Sequence, residues 1–346
     1  MMGRGVKHVQ LHWIGSTELR VVSDIDEGVS PIVQAEEMVI RRYMQHVTWP
    51  HRRVQLFVLQ DLSPLTRQLD LTLASVPGGT TMIASRPVIN LYDLAHPERC
   101  NVFVNQQAME LAGYWDDLLA VQGLLAHEHA HPLAENMTTH ASRSLRTRLA
   151  FRPTGSGDGL PQASRLETLL SELLERLVIS APREIFTNQL TLETGFDQAL
   201  LHLNRRNVAN AGRSLAGRAQ LRNLLEQDVA SGNRSEQVVG QILLGGDLES
   251  HLVLAMEIAP FVRAGHDHAA RELLRVLERE IFPQLEPQVA PAFAAINRLY
   301  IDLAPDLSVE ALVTWGQQVA AHLVTALAEH ELLVEATVES RYEPGA

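Results

Sequence analysis

The 346-residue chain has one cysteine, Cys100, and Lys7 is its only lysine. A lone thiol cannot form an intramolecular disulfide, so a disulfide framework and a cysteine-rich metal site are both excluded, and a reducing compartment is expected. Uninterrupted apolar runs of the roughly 18 to 20 residues that span a bilayer are also missing, which argues against a membrane partner. The opening segment MMGRGVKHVQLHWIG lacks the apolar stretch of a secretory signal, and a cytoplasmic protein is expected. Positive charge is scarce as well: 29 Lys and Arg stand against 41 Asp and Glu, a formal net charge of −12. Nucleic-acid surfaces concentrate Lys and Arg, so no nucleic-acid partner is expected. The short group Arg205, Arg206 and Arg213 reads as a solvated helix end.

What is present is core material. A hydrophobic fraction of 46% suffices for one large domain or two ordinary ones. Strands are predicted at about 18–24, 53–60 and 86–92, each rich in β-branched or aromatic residues and bounded by turn formers. A helix is predicted over 31–46, where Ile32, Ala35, Met38, Val39 and Tyr43 recur at helical spacing. A short strand, Asn101 to Asn105, has polar ends that predict a sheet edge. From Trp115 to His131 apolar residues again fall at helical intervals, and Asp116 and Asp117 stand where the helix dipole favours anions.

The stretch Arg152-Pro-Thr-Gly-Ser-Gly-Asp-Gly-Leu-Pro161 predicts a flexible loop and a domain boundary. The expected organisation is an α/β domain over 1–151, a loop over 152–163 and a helical domain over 164–346. Helices are predicted near 164–179, 182–205, 213–228, 234–244, 247–263, 267–281, 284–303 and 308–333, with Gly245-Gly246 and Pro283 as punctuation. A mixed N-terminal layer followed by a run of helices is an α+β pattern.

One motif carries chemistry. Leu124-Leu-Ala-His127-Glu128-His129-Ala130-His131 contains His-Glu-x-x-His. Residues four apart on a helix lie about 40° apart around the axis, so both imidazoles can reach one cation from a single face. Glu128, about 100° around from His127, can hydrogen-bond a water held by that metal and take its proton as the water attacks a carbonyl. His129, about 200° around from both ligands, cannot join the same metal and is expected to pack or face solvent.

The segment Leu-Leu-Ala-His127-Glu128-His-Ala-His131 resembles the active-site helix of the zincin metallopeptidases. In that superfamily a twisted sheet with an exposed edge strand precedes the metal-binding helix, and a mostly helical half follows. The resemblance implies one Zn2+ per chain held by His127 and His131, with Glu128 as the catalytic base. It also implies a peptide or protein substrate paired along the edge strand, expected at 101–105. The metzincin subclass needs a third His where this chain has Met137. Pro132 directly follows the second His, so the helix must end or kink there.

Catalytic zinc sites usually keep three protein ligands, and in the gluzincins the third is a Glu from a later helix. Glu172 and Glu175 lie away from the leucine face of helix 164–179 and are expected to face solvent, unless that polar face lines the cleft, where either is an alternative third ligand. After Pro182 the residues Glu184, Thr187, Asn188 and Thr191 form a narrow polar stripe flanked by Ile185, Phe186, Leu190 and Leu192. Glu184-Ile-Phe-Thr-Asn188 resembles the gluzincin Glu-x-x-x-Asp/Asn pattern and a segment of the ImmA/IrrE-type zinc proteins. That resemblance makes Glu184 the expected third ligand, with Asn188 bonded to a ligand imidazole.

A transition-state donor is sought among His202, His251 and Tyr300. His140 is expected on a surface loop, and His266-Asp267-His268 in a polar interhelical turn. Two other readings stand beside a metallopeptidase: a regulatory zinc protein on a zincin scaffold, and a metal-free helical interaction module.

Overall fold

A computed structural model describes residues 7–65, 85–151 and 161–341. The chain is α+β, with a five-stranded mixed sheet in its N-terminal part and a mostly helical C-terminal half. It divides into two compact units, Met1–Leu133 with Leu190–Leu203, and Ala134–Gln189 with Asn204–Ala346. Of the loop expected at 152–163, residues 152–160 lie outside the described residues.

In the first unit β1 (His8–Ile14) and β2 (Thr17–Ser23) form an antiparallel hairpin. Gly15 sits at φ +59°, the left-handed conformation a two-residue hairpin turn requires. Helix α1 (Val29–His46) crosses to β3 (Arg53–Leu59), and β4 (Val88–Tyr92) and β5 (Arg99–Asn105) follow. The strand order is β1-β2-β3-β5-β4. Strands β2, β3 and β5 are parallel, while β1 and β4 run antiparallel at the two edges.

The expectation of an edge strand at 101–105 is thus corrected. β5 is interior, paired with β3 on one side and β4 on the other, and among the described residues β4 holds the edge. Brevity and polar ends say nothing about a neighbour that lies earlier in the chain and folds back.

Side chains alternate across a strand. Val54, Leu56 and Val58 of β3 are buried together with their register partners Cys100, Val102 and Val104 of β5. Elsewhere in the sheet Phe57 stacks on Phe103 at 4.7 Å between ring centroids, packed with Leu62 and Ile89. Helices α2 (Gln106–Ala112) and α3 (Leu118–Leu133) follow β5, and α3 packs against α1 and β4.

The end of α6 (Ala181–Glu193) and the first turns of α7 (Asp197–Ala230) also belong to this unit. Gly195, at φ +81°, divides the expected helix 182–205 in two. Gly123 of α3 allows close contact with α7: a Cβ there would lie 2.9 Å from the carbonyl oxygen of Ala199.

The second unit contains α4 (Met137–Ser142), α5 (Pro161–Glu175), α8 (Glu236–His251), α9 (Ala255–Arg263), α10 (Asp267–Val276), α11 (Val289–Ile301) and α12 (Val309–Ala328). Its core includes Leu173, Leu177, Phe261, Phe293 and Tyr300. Arg218 grips Asp247 through two bonds of 2.6 Å and also reaches Glu286 at 3.1 Å.

This unit also has a two-stranded antiparallel sheet of β6 (Leu145–Phe151) and β7 (Val334–Ser340), contrary to the expectation that everything after the loop is helical. β7 finds its partner nearly two hundred positions earlier, a pairing no local pattern announces. Gly245-Gly246 does not break a helix either. Both lie inside α8, where a Cβ on Gly245 would meet Leu166 at 2.3 Å.

Gly123→Ala tests the contact on α3. In a solvated helix this change gains about 1 kcal/mol, but overpacking against a backbone oxygen costs about 1–3 kcal/mol. A net loss of stability is expected, read as a lower urea midpoint. A raised midpoint would show that the helix has room there.

Candidate metal centre

Helix α3 begins under a side-chain cap: Asp117 Oδ1 accepts from Ala120 N at 3.1 Å. His202 Nε2 lies 2.7 Å from the other Asp117 oxygen, which places this histidine near the start of α3, about ten residues or roughly 15 Å before the motif. His202 is therefore engaged at the wrong end of the helix for a transition-state donor. His251 and Tyr300 are buried in the second unit, bonded to the carbonyls of Asp247 and Leu177 at 2.8 Å each. His140 is exposed on the short helix α4. His266 and Asp267 lie at the start of α10, as expected of an interhelical turn.

The motif occupies the last turns of α3. His127, Glu128 and His131 each offer one ligand atom, and all three atoms lie within 4.8 Å of one another. The two imidazole centroids are 4.7 Å apart with planes at 80°. His127 is half-buried, while Glu128 and His131 are 8% and 3% exposed. The donor set therefore opens to solvent on the His127 side. Two imidazoles with an adjacent carboxylate suit zinc chemically.

Pro132 explains how this end of the helix is held. Helix α3 stops at Leu133, one residue past the proline, as the sequence predicts. A proline has no N–H to give to the carbonyl four residues earlier, and for Pro132 that carbonyl belongs to Glu128. Asn90 on the edge strand β4 supplies a donor: its Nδ2 donates to Glu128 O at 3.1 Å. The backbone N–H of Asn90 donates to Glu128 Oε2 at 3.0 Å. One strand residue thus ties both the main chain and the side chain of Glu128. Tyr43 of α1 adds a third hold, donating from its buried hydroxyl to Ala126 O at 2.8 Å. Burial raises its phenol well above the usual range.

His129 points into the first unit and is fully buried, so of the two expected places, packing or solvent, it packs. Its Nε2 is 2.7 Å from Glu36 Oε1, and Glu36 is fully buried too. His51 lies beside it, and burial pushes the His51 pKa down to about 4.

Glu184 stands in the first turn of α6, half-buried, and belongs to the second unit. The polar stripe after it is buried, with Thr187, Asn188 and Thr191 all inside. Asn188 Nδ2 donates to the backbone oxygen of Met256 at 3.3 Å. Glu172 is exposed as expected, whereas Glu175 is half-buried, and burial raises its carboxyl pKa against the lowering charge of Arg341.

Sequence reasoning passed over Asn90 and Glu36. The available signal for Asn90 was one amide inside the apolar run Val-Ile-Asn-Leu-Tyr. For Glu36 it was a carboxylate on the apolar face of α1. No family model, curated protein or solved structure matches the chain.

Asn90→Ala leaves the Glu128 carbonyl without its side-chain donor and is expected to cost about 1–3 kcal/mol. In a Pro132→Ala background the restored N–H can reach that carbonyl, so the cost of Asn90→Ala shrinks. A double-mutant cycle by urea denaturation should give a coupling of at least about 0.5 kcal/mol. Equal costs in both backgrounds would contradict the link between proline and asparagine.

Proposed function

We propose that His127 and His131 hold one Zn2+ per chain and that Glu128 is the general base of a hydrolase acting on peptide bonds. The carrying observation is the grouping of His127, Glu128 and His131, with ligand atoms within 4.8 Å, on the terminal turns of α3. Resemblance of the motif to the zincin active-site helix supports the peptide substrate class. Among the described residues no helix is long and apolar enough to cross a membrane.

Bound there, Zn2+ supplies Lewis acidity that acidifies water and polarises a substrate carbonyl. Glu128 takes a proton from the attacking water as the new C–O bond forms. It returns that proton to the leaving amine as the C–N bond breaks. The Asn90 N–H on Oε2 fixes the carboxylate's orientation during both transfers. A peptide paired along the sheet edge lies along β4 in this reading. It must use donors other than the Asn90 N–H, which Glu128 already occupies. Resemblance of Glu184-Ile-Phe-Thr-Asn188 to the gluzincin pattern is what supports Glu184 as third ligand.

Elemental analysis of identically purified proteins tests the site. His131→Ala is expected to carry one zinc fewer per chain than wild type, and Glu184→Ala to lose the same ion. Glu128→Gln is expected to retain that zinc while peptide hydrolysis falls by about 10²- to 10⁴-fold. Unchanged zinc in His131→Ala would overturn the metal site, and undiminished hydrolysis in Glu128→Gln would overturn the base.

A further inference from the structure

The first unit holds a second group of potential ligands that shares no residue with the first. His51, just before β3, Cys100 on β5 and His129 on α3 each offer one ligand atom, and these atoms lie within 4.8 Å of one another. All three side chains are buried, at 2%, 1% and 0% exposure.

Among the described residues, the hydrogen bonds around the two rings leave one nitrogen of each unused. His51 Nδ1 lies 2.6 Å from the carbonyl oxygen of Pro97 and must donate to it, while Nε2 is buried with no partner. His129 Nε2 lies 2.7 Å from Glu36 Oε1, while Nδ1 is buried with no partner. Metal-bound histidines characteristically engage their second nitrogen in this way, with a carboxylate or a backbone carbonyl that fixes tautomer and ring orientation. Cys100 is the only cysteine in the chain and is buried as a free thiol. Buried polar atoms are normally satisfied, so two unpartnered imidazole nitrogens beside a thiol require an explanation that packing does not supply.

We propose that His51, Cys100 and His129 form a second metal site that takes one Zn2+, with Glu36 orienting His129. Imidazole and thiolate are the donors zinc prefers. Charge also balances: a divalent ion, the Cys100 thiolate and the Glu36 carboxylate sum to zero, as a dry interior requires. Glu36 lies close enough to Cys100 for its charge to act on the thiol, and its Oε2 is likewise buried without a partner among the described residues. Trp49 walls the group, its ring centroid 4.7 Å from His51 and 5.5 Å from His129. On binding, the thiol proton leaves to solvent and the Zn–S and two Zn–N bonds form. Enclosure on this scale fits an ion that holds α3, β3 and β5 together and not one that meets substrate.

Cobalt distinguishes this site from the one at His127 and His131, because only this one contains sulfur. The protein is produced in minimal medium with Co2+ replacing zinc, and its near-ultraviolet spectrum is recorded with cobalt content. Wild type and His131→Ala are both expected to show thiolate-to-cobalt charge-transfer absorption, with His131→Ala keeping one cobalt per chain. Cys100→Ser, checked for folding by circular dichroism, is expected to lose the absorption. If that variant does not fold, His51→Gln serves, since it is expected to weaken the band while Cys100 remains. Cobalt-loaded wild type without the charge-transfer band would overturn the proposal, as would a band of full strength in His51→Gln. Failure of the catalytic-site reading looks different, since His131→Ala would then match wild type in cobalt content.

Discussion

A missing amide hydrogen shapes the end of the motif helix. Pro132 deprives the Glu128 carbonyl of its helical partner at the point where α3 must present two histidines and a carboxylate. Left unpaired in the interior, that oxygen would carry a desolvation cost of the order of 1–3 kcal/mol. Asn90 reaches across from β4 to meet it at 3.1 Å, and its own N–H meets the Glu128 side chain at 3.0 Å. The edge strand and the helix end are thereby joined at one residue. A proline that looks disruptive in the sequence becomes the reason the sheet edge and the motif are registered.

The same helix carries polar groups in two directions. His127, Glu128 and His131 gather at its end with His127 half-exposed, whereas His129 turns into the interior toward Glu36, His51 and Cys100. Helical geometry makes this separation unavoidable, since His129 lies about 200° around the axis from each of its histidine neighbours. The open group has the access that chemistry needs, and the closed group has the enclosure that a structural ion needs. Both depend on α1, which contributes Tyr43 to the carbonyl of Ala126 and Glu36 to the ring of His129.

Much of the first unit was legible in the sequence because its elements announce themselves locally. Helix α1, strands β2, β3 and β4, and the motif helix fall within a few residues of where periodicity put them. The end of α3 followed directly from Pro132. What failed was knowledge of neighbours: β5 looked like an edge because nothing local shows that β4 folds back beside it. β7 was left inside the expected helical domain because its partner β6 is remote. Gly245-Gly246 looked like a break, but Gly245 makes room for Leu166 inside α8. The motif residues themselves were readable from spacing. Asn90, Glu36 and His51 were not, because their roles arise from strand order and helix packing that bring distant positions to one point.

The proposed zinc site lies at the proline-terminated end of α3, where Asn90 holds Glu128 between His127 and His131. Anomalous diffraction at the zinc edge, from crystals grown with zinc, tests it most directly. A peak bonded to one nitrogen of each imidazole at about 2.0–2.1 Å is expected, with the Asn90 to Glu128 bonds intact. Zinc peaks confined to other parts of the molecule, with His127 and His131 bare, would contradict it.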